Sequence, residues 1–305
     1  MRVTLVYNPG AGADEQLSGE ALVDLIGRAG HSIVRYSSTS DDWDDALTAP
    51  ADIVAVAGGD GTVGKLAKKL IDHPVPIAVL PMGTANNIAA TLGLIARPIE
   101  EVIAEWTSAR HVKFDVGEVI GPWGSKYFIE GVGMGIFADT MARFHSKDNV
   151  DISHLDDTQI KITSVLHILK DRLRHYPAKK LVMTLDGQDA SGEYILVEAL
   201  NIKFIGPNLQ LAAEADPGDG FLNVALISVA EETQFSSYLS DAMANKLPNF
   251  DWPVRKAKQI VMRWDGFAVH IDDEDWPGKD SSAPPSPARI ELTATDRTLD
   301  FLAPG

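Results

Sequence analysis

Three loops rich in glycine, asparagine and hydroxyl side chains concentrate the chemistry this sequence can offer: Asn8-Pro9-Gly10-Ala11-Gly12, Gly58-Gly59-Asp60-Gly61-Thr62 and Pro81-Met82-Gly83-Thr84-Ala85-Asn86. In each, an apolar run enters and a helical pattern leaves. Glycine lets the main chain approach a ligand closely, and a glycine-rich turn that opens a helix turns N–H groups toward phosphate oxygens. Singly, each loop also reads as a plain turn. Gly58 to Thr62 is then a tight strand-to-helix connection with Asp60 as helix cap, Asn8 to Gly12 is a bend, and Thr84 caps Asn87 or Ile88. The middle loop unites three glycines, an acid and a hydroxyl, which points to phosphate binding.

Two acidic segments raise the same kind of choice. Ile271-Asp272-Asp273-Glu274-Asp275 reads as a solvated hairpin turn or as a source of a proton acceptor, and Asp216-Pro217-Gly218-Asp219-Gly220 reads as a turn. Other chemistries are excluded. There is no cysteine, so thiolate nucleophiles, thiolate metal sites and disulfides are absent. The 8 histidines form no close-spaced zinc pair, and no Gly-x-Ser-x-Gly elbow exists for a serine hydrolase. Over 305 residues, 27 Lys and Arg face 43 Asp and Glu, a net −16 that argues against chain-wide nucleic-acid binding.

The elements that must position these loops are legible in the apolar pattern. Residues 3–7, 53–57 and 77–80 are continuous apolar runs, the mark of strands covered on both faces in a parallel sheet, and helical spacing predicts helices over 16–29, 63–71, 87–92 and 99–106. In such a sheet the loops at the carboxyl ends of the strands meet at one edge. After residue 112 the texture changes to short, turn-bounded segments at 113–119, 125–129, 181–186, 193–201, 221–227, 259–264, 267–272 and 288–293, with helices over 160–175 and 231–244 and a proline-rich loop at 277–287. The expected fold is an α/β N-terminal domain with a parallel sheet over 1–113, then a mainly antiparallel β-sandwich domain over 114–294. The tail, 295–305, is expected to return to the first domain. No apolar run reaches the roughly 18 residues of a membrane span, and the N-terminal run is too short for a signal segment, so a soluble cytoplasmic protein is expected.

Six motifs in order along the chain resemble the diacylglycerol kinase catalytic-domain superfamily, which includes bacterial diacylglycerol kinases, related soluble lipid kinases and, more distantly, sphingosine kinases. They are Asn8-Pro9 with Gly12, Gly58 to Thr62, Pro81 to Asn86, Asp115-Val116-Gly117, Asp219-Gly220-Phe221-Leu222-Asn223-Val224, and Ile271-Asp272 with Glu274. The resemblance implies an NAD kinase/diacylglycerol kinase-like fold and an ATP-dependent enzyme that phosphorylates a lipid hydroxyl, diacylglycerol-like lipid first. Nucleotide would sit on the first domain and lipid would enter from the second. By position it implies that Asn8, Gly12, Gly58, Gly59, Asp60, Gly61, Thr62, Gly83, Thr84 and Asn86 hold the nucleotide, with Thr39 chosen over Ser37 and Ser38 as a further contact. Asp60 would help organise Mg²⁺. Asp272 would be the general base, with Glu274 beside it in the catalytic set. The loop at Asp216 would hold a structural divalent ion through the Asp219 side chain and the carbonyls of Asp216 and Phe221.

The sequence departs from the family pattern at four positions. Asn87 stands where the family has an acid, Gly64 and Lys65 replace an Asn-Glu pair, and Asp273 replaces a glycine. Fewer carboxylates weaken an Asp-based magnesium network. Lys65 reads either as a phosphate contact or as part of an exposed face with Lys68 and Lys69. Two other readings stand beside the lipid kinase: a catalytically weakened nucleotide- or lipid-binding module, and an NAD kinase, whose family shares the Gly-Gly-Asp-Gly-Thr loop. For a lipid kinase, transient contact with the inner membrane surface would be local, with basic stretches 172–180 and 255–258 as options. Phe128, Met134, Ile136, Phe137, Met141 and Phe144 read as a lipid pocket or as core. A homodimer through an exposed sheet edge is a further expectation.

Overall fold

The uninterrupted apolar runs of the N-terminal third become strands buried along their length, as their lack of polar alternation requires. β1 (Arg2–Tyr7), β2 (Ser32–Ser37), β3 (Ile53–Gly58) and β4 (Ile77–Pro81) form a parallel sheet in the order β2-β1-β3-β4. α1 (Gly19–Arg28) starts at Ser18, whose hydroxyl accepts the Ala21 N–H, and buries Leu22 and Ile26, four residues apart on one face. α2 (Trp43–Leu47), α3 (Asp60–Lys69), α4 (Asn87–Thr91) and α5 (Ile99–Ala104) complete this unit. This computed structural model describes residues 1–11, 17–38, 43–48, 51–144, 157–246, 250–277 and 286–305, so Gly12 and Thr39 lie outside the described residues, as does the Phe144 side chain.

Helix α3 begins three residues before the predicted 63–71. Gly59 is its cap, so Asp60, Gly61 and Thr62 form its first turn rather than a loop ahead of it. Periodicity missed this because the first turn carries almost no apolar residues.

The second unit is mainly antiparallel. Its strands are β5 (Arg110–Gly121), β6 (Gly124–Phe128), β7 (Gly131–Gly135), β8 (Lys179–Leu185), β9 (Gln188–Asp189), β10 (Gly192–Leu200), β11 (Phe204–Ile205), β12 (Leu209–Gln210), β13 (Leu222–Ser228), β14 (Val254–Ala257), β15 (Gln259–Trp264), β16 (Val269–Ile271), β17 (Glu274–Trp276) and β18 (Ala288–Ala303). Helices α6 (Ile136–Phe144), α7 (Thr158–Leu173) and α8 (Glu232–Met243) belong to the same unit. The main path is β17-β16-β7-β10-β8-β15-β18, with β13 joining β10 to β14. One face of these strands packs around Phe128, Met134, Val197, Met262 and Trp264, while the other packs Leu196, Leu200 and Ile227 against Phe137, Leu169, Phe235 and Tyr238 of the helices.

By contacts the chain divides into one unit of Met1–Asp115 with Arg297–Gly305 and a second of Val116–Asp296. The start of β5, through Asp115, and the end of β18 belong to the first unit, where Phe301 of β18 pairs with Ile77 of β4. Of the six residues weighed as lipid pocket or core, Phe128, Met134, Ile136 and Phe137 are buried in the two cores and Met141 packs against the second. Gly117 of the Asp115-Val116-Gly117 motif has a packing role, since a Cβ there would lie 2.1 Å from the Phe128 ring.

Candidate active site

In the first unit the loops after β1, β3 and β4 are joined at one edge by side chains and by direct main-chain contact. Asn8 donates its N–H to Ala57 O (2.9 Å) and its amide Nδ2–H to Thr62 Oγ1 (2.7 Å), while its Oδ1 accepts the Gly10 N–H (3.0 Å). The loop after β1 is thereby tied to the first turn of α3. Gly59 and Gly83 then touch: a Cβ on Gly83 would stand 2.3 Å from Gly59 Cα, and a Cβ on Gly59 would stand 2.9 Å from Gly83 Cα. Neither position admits a side chain, which explains glycine at both without appeal to backbone angle.

The third link is Asp60. Its Oδ1 accepts the Ile88 N–H at 3.0 Å, so an acid from the first turn of α3 caps α4. The expected cap, Thr84, has no such role: Asn86 is the cap residue of α4, in the left-handed conformation (φ 54°), and its side chain closes the loop by accepting the Gly83 N–H and donating to Gly83 O, both at 2.8 Å. Asn87 is buried beneath this turn. Lys65 is exposed on α3, where Lys69 pairs with Asp44. The result is a rigid pair of glycine turns opening two helices, a form suited to anionic oxygens.

In the second unit Asp272 opens the two-residue turn between β16 and β17, and Glu274 follows it as the first residue of β17, paired with Ile271. Their surroundings differ sharply. Asp272 is 4% exposed and left-handed (φ 50°), and its Oδ1 accepts N–H groups from Glu130 (2.9 Å), Ile129 (3.1 Å) and Gly131 (3.3 Å); Oδ2 accepts Ile129 N–H at 3.2 Å. Its own N–H goes to Gly131 O (2.8 Å). Such a carboxylate organises the chain leading into β7. Glu274 is the accessible acid of the two, with a side chain 48% exposed and 2.7 Å from Lys126 Nζ.

The Asp216 loop was expected to hold a divalent ion through the Asp219 side chain and the Asp216 and Phe221 carbonyls; in the structure the Asp219 carboxylate is taken up by groups of the chain itself. Asp219 Oδ2 is paired with the Lys256 ammonium, Asp219 Oδ1 accepts the Phe221 N–H (3.0 Å), and Asp216 Oδ1 accepts the Gly218 N–H (3.1 Å). Among the described residues no group of three or more His, Asp or Glu is placed to hold a metal ion. An ammonium on the Asp219 oxygen competes with a divalent cation for the same negative charge. Lys256, on β14 beside Asn223 of β13, supplies the positive charge instead. Accordingly, millimolar Mg²⁺, Ca²⁺ or EDTA should leave the melting temperature of the protein unchanged, while Lys256→Met should lower it by roughly 2–4 °C, the effect of about 1 kcal/mol in a unit of this size. A cation-dependent rise in the wild type, measured by scanning fluorimetry, would show that the loop does hold a divalent ion.

Two residues that sequence reasoning missed lie close to this turn: Glu198 and His270, both wholly buried and 2.8 Å apart. Their only sequence signal is an acid and a histidine within otherwise apolar strands, at Val197-Glu198-Ala199 and Val269-His270-Ile271.

Residues 2–119 match the family model of the diacylglycerol kinase catalytic domain, and residues 147–276 match that of the YegS C-terminal NAD kinase beta sandwich-like domain. A protein of Staphylococcus aureus (strain MSSA476) named "Putative lipid kinase SAS0691" is 27% identical over 242 residues, covering 78% of this chain and 68% of that protein. A solved structure titled as a diacylglycerol kinase from Bacillus anthracis str. Sterne superposes with a TM-score of 0.65 at 20% identity, covering 99% of this chain and 96% of that one. Yeast NADH kinase complexed with NADH superposes with a TM-score of 0.51 at 10% identity, covering 100% and 84%. At these identities the two structures are likenesses of fold.

Proposed function

Because residues 2–119 belong to the diacylglycerol kinase catalytic domain family and 147–276 to the YegS C-terminal domain family, we propose that the chain is an ATP-dependent lipid kinase that phosphorylates the hydroxyl of a diacylglycerol-like lipid. The observation that carries this reading is the main-chain contact of Gly59 with Gly83, which locks two glycine turns into one anion-binding edge. There Gly58 to Thr62 and Gly83 to Asn86 face the nucleotide phosphates, with Asn8 fixing Thr62. Asp60 is a single carboxylate, which suits Mg²⁺: this ion keeps most of its waters and is held by one or two carboxylates together with substrate phosphates. When bound, it would neutralise charge on those phosphates.

Phosphoryl transfer asks for positioning and charge stabilisation more than covalent chemistry. The lipid oxygen forms a bond to the γ-phosphorus, the bond from that phosphorus to ADP breaks, and the hydroxyl proton passes to a carboxylate. We assign that proton to Glu274 rather than Asp272, since the Asp272 oxygens are already engaged by three main-chain N–H groups.

Membrane contact is local in this reading. Among the described residues no helix is long and apolar enough to cross a membrane. Stretch 255–258 has Lys256 on Asp219 and Lys258 over the Phe221 ring, whereas 172–180 keeps Arg174 and Lys180 exposed. Each cation near an anionic surface contributes about 1 kcal/mol.

The reading predicts that label from γ-phosphate of ATP, with Mg²⁺, enters diacylglycerol in a panel that also holds monoacylglycerol, phosphatidylglycerol, ceramide, sphingoid bases and NAD. Label in NAD alone would replace it with the NAD kinase reading. ATP binding with no label anywhere would replace it with a binding module.

A further inference from the structure

Two ionisable side chains inside the second unit have no role in the chemistry described so far. Glu198 on β10 and His270 on β16 are each directly opposite Gly133 on β7, so the three form one row across three strands. Gly133 is what lets the pair meet, because a Cβ there would lie 1.9 Å from Glu198 Oε2. Above that glycine, Oε2 stands 2.8 Å from His270 Nε2, and the other ring nitrogen, Nδ1, stands 3.1 Å from the main-chain oxygen of Asp272. Phe137 of α6 closes the imidazole edge-on at 5.0 Å. Both side chains are 0% exposed.

The two contacts of His270 fix a proton count. A carbonyl oxygen only accepts, so Nδ1 must carry hydrogen to bond Asp272 O. An ionised carboxylate also only accepts, and a neutral imidazole has a single N–H. Both contacts therefore hold only while the pair keeps one extra proton, on Nε2 or on Oε2. Burial pushes the Glu198 carboxyl above its ordinary range; for His270 burial acts downward, but the charge and hydrogen bond of Glu198, with help from Asp272, raise it above the ordinary histidine value. Both directions retain the shared proton. Glu198 Oε1, buried without a hydrogen-bond partner, adds to the cost of a full charge there.

The other charged neighbours are few. Asp275 lies opposite His270 on β17, Asp272 follows in the turn, and Glu130 is buried one residue ahead of β7; β7 itself has no ionisable residue, and α6 presents Phe137.

We propose that Glu198 and His270 act as a proton-dependent positioning pair for the β16–β17 turn: singly protonated, they hold the Asp272 carbonyl and with it the strand that presents Glu274. The proposal rests on the reading of Glu274 as proton acceptor. When the shared proton leaves, the buried carboxylate takes the one remaining N–H, and Nδ1 turns a lone pair toward the Asp272 oxygen. That contact becomes repulsive and the turn loses its hold.

Glu198→Gln is the discriminating variant. A glutamine amide donates to Nε2 and leaves Nδ1–H on the Asp272 oxygen, so both contacts survive without a shared proton. For the wild type, kcat should fall on the alkaline side, and Glu198→Gln should remove that limb or move it up by more than about one pH unit. A second readout is independent of activity. The folded pair holds a proton that the unfolded histidine releases near pH ~6.5, so the melting temperature of the wild type should decline as pH rises from about 6.5 through the folded value, and that of Glu198→Gln should stay level. If the variant fails to fold, imidazole ¹⁵N NMR of the wild type decides: hydrogen on Nδ1 at neutral pH and no titration near ~6.5 support the pair. A normally titrating His270, parallel melting curves, or an active wild type whose kcat profile Glu198→Gln leaves unaltered would overturn the proposal and spare the kinase reading. Contrasting melts with no transfer to any substrate would overturn the kinase reading and with it the catalytic consequence, but not the proton-sharing pair.

Discussion

Replacing Asp272 by alanine is expected to lower the melting temperature by roughly 6–24 °C, the largest stability effect of any single change in the β16–β17 turn. The reasoning is one of unmet hydrogen bonds. The side chain accepts three main-chain N–H groups, from Ile129, Glu130 and Gly131, in a place where Asp272 itself is 4% exposed. Each buried N–H left without a partner costs about 1–3 kcal/mol, and the three share one site, so about 3–6 kcal/mol is lost in all. Asp272→Asn separates charge from geometry. Its amide oxygen can take the three N–H groups, but its NH₂ then faces Ile129 N, which lies 3.2 Å from Oδ2, so less than half of the alanine effect is expected. Asp273→Asn, at the exposed neighbour, is the control, with a shift under about 2 °C. Scanning calorimetry of the three variants measures this ranking. If alanine and asparagine melt within about 2 °C of the wild type, the carboxylate is not holding the chain before β7.

The architecture of the first unit was readable because β3 and β4 are buried on both faces, which leaves an unbroken apolar record in 53–57 and 77–80. The links between its loops were not readable. That Asp60 caps α4 depends on the adjacent placement of β3 and β4, and local spacing offered only Thr84. Strand β7 was missed altogether, since Gly131-Val132-Gly133-Met134-Gly135 has the composition of a loop. Its glycines have separate packing reasons: a Cβ on Gly131 would meet Ala199 O at 2.9 Å, Gly133 makes room for Glu198, and Gly135 is left-handed (φ 99°). Three strands crowd there, and the sequence records the crowding only as missing side chains. The acidic run 271–275 was the hardest case. Asp272 and Glu274 look equivalent in sequence, yet one points into main-chain N–H groups and the other toward solvent and Lys126, a difference set by the hairpin's pairing with β7.

That difference yields the largest expected effect on activity. Glu274→Gln should reduce kcat for lipid phosphorylation by about 10²–10⁴, the usual contribution of a positioned base, while ATP affinity and melting temperature stay close to wild type. The structural cost is small because the lost ion pair with Lys126 is solvent-exposed (side chains 48% and 38% exposed), and such pairs add little to stability. Glutamine keeps the size of the side chain and can still accept a hydrogen bond from the lipid hydroxyl, so substrate affinity should change less than turnover. This is the pattern of an interaction made in the transition state. Asp272→Asn should show the opposite balance, with a lowered melting temperature and a kcat that falls only as far as the turn is disturbed. Measuring kcat, KM and melting temperature for both variants under one assay makes the assignment decidable. A Glu274→Gln enzyme with kcat within a factor of about three of wild type, beside an Asp272→Asn enzyme that melts normally and is inactive, would return the proton to Asp272 and require its oxygens to exchange main-chain partners during turnover.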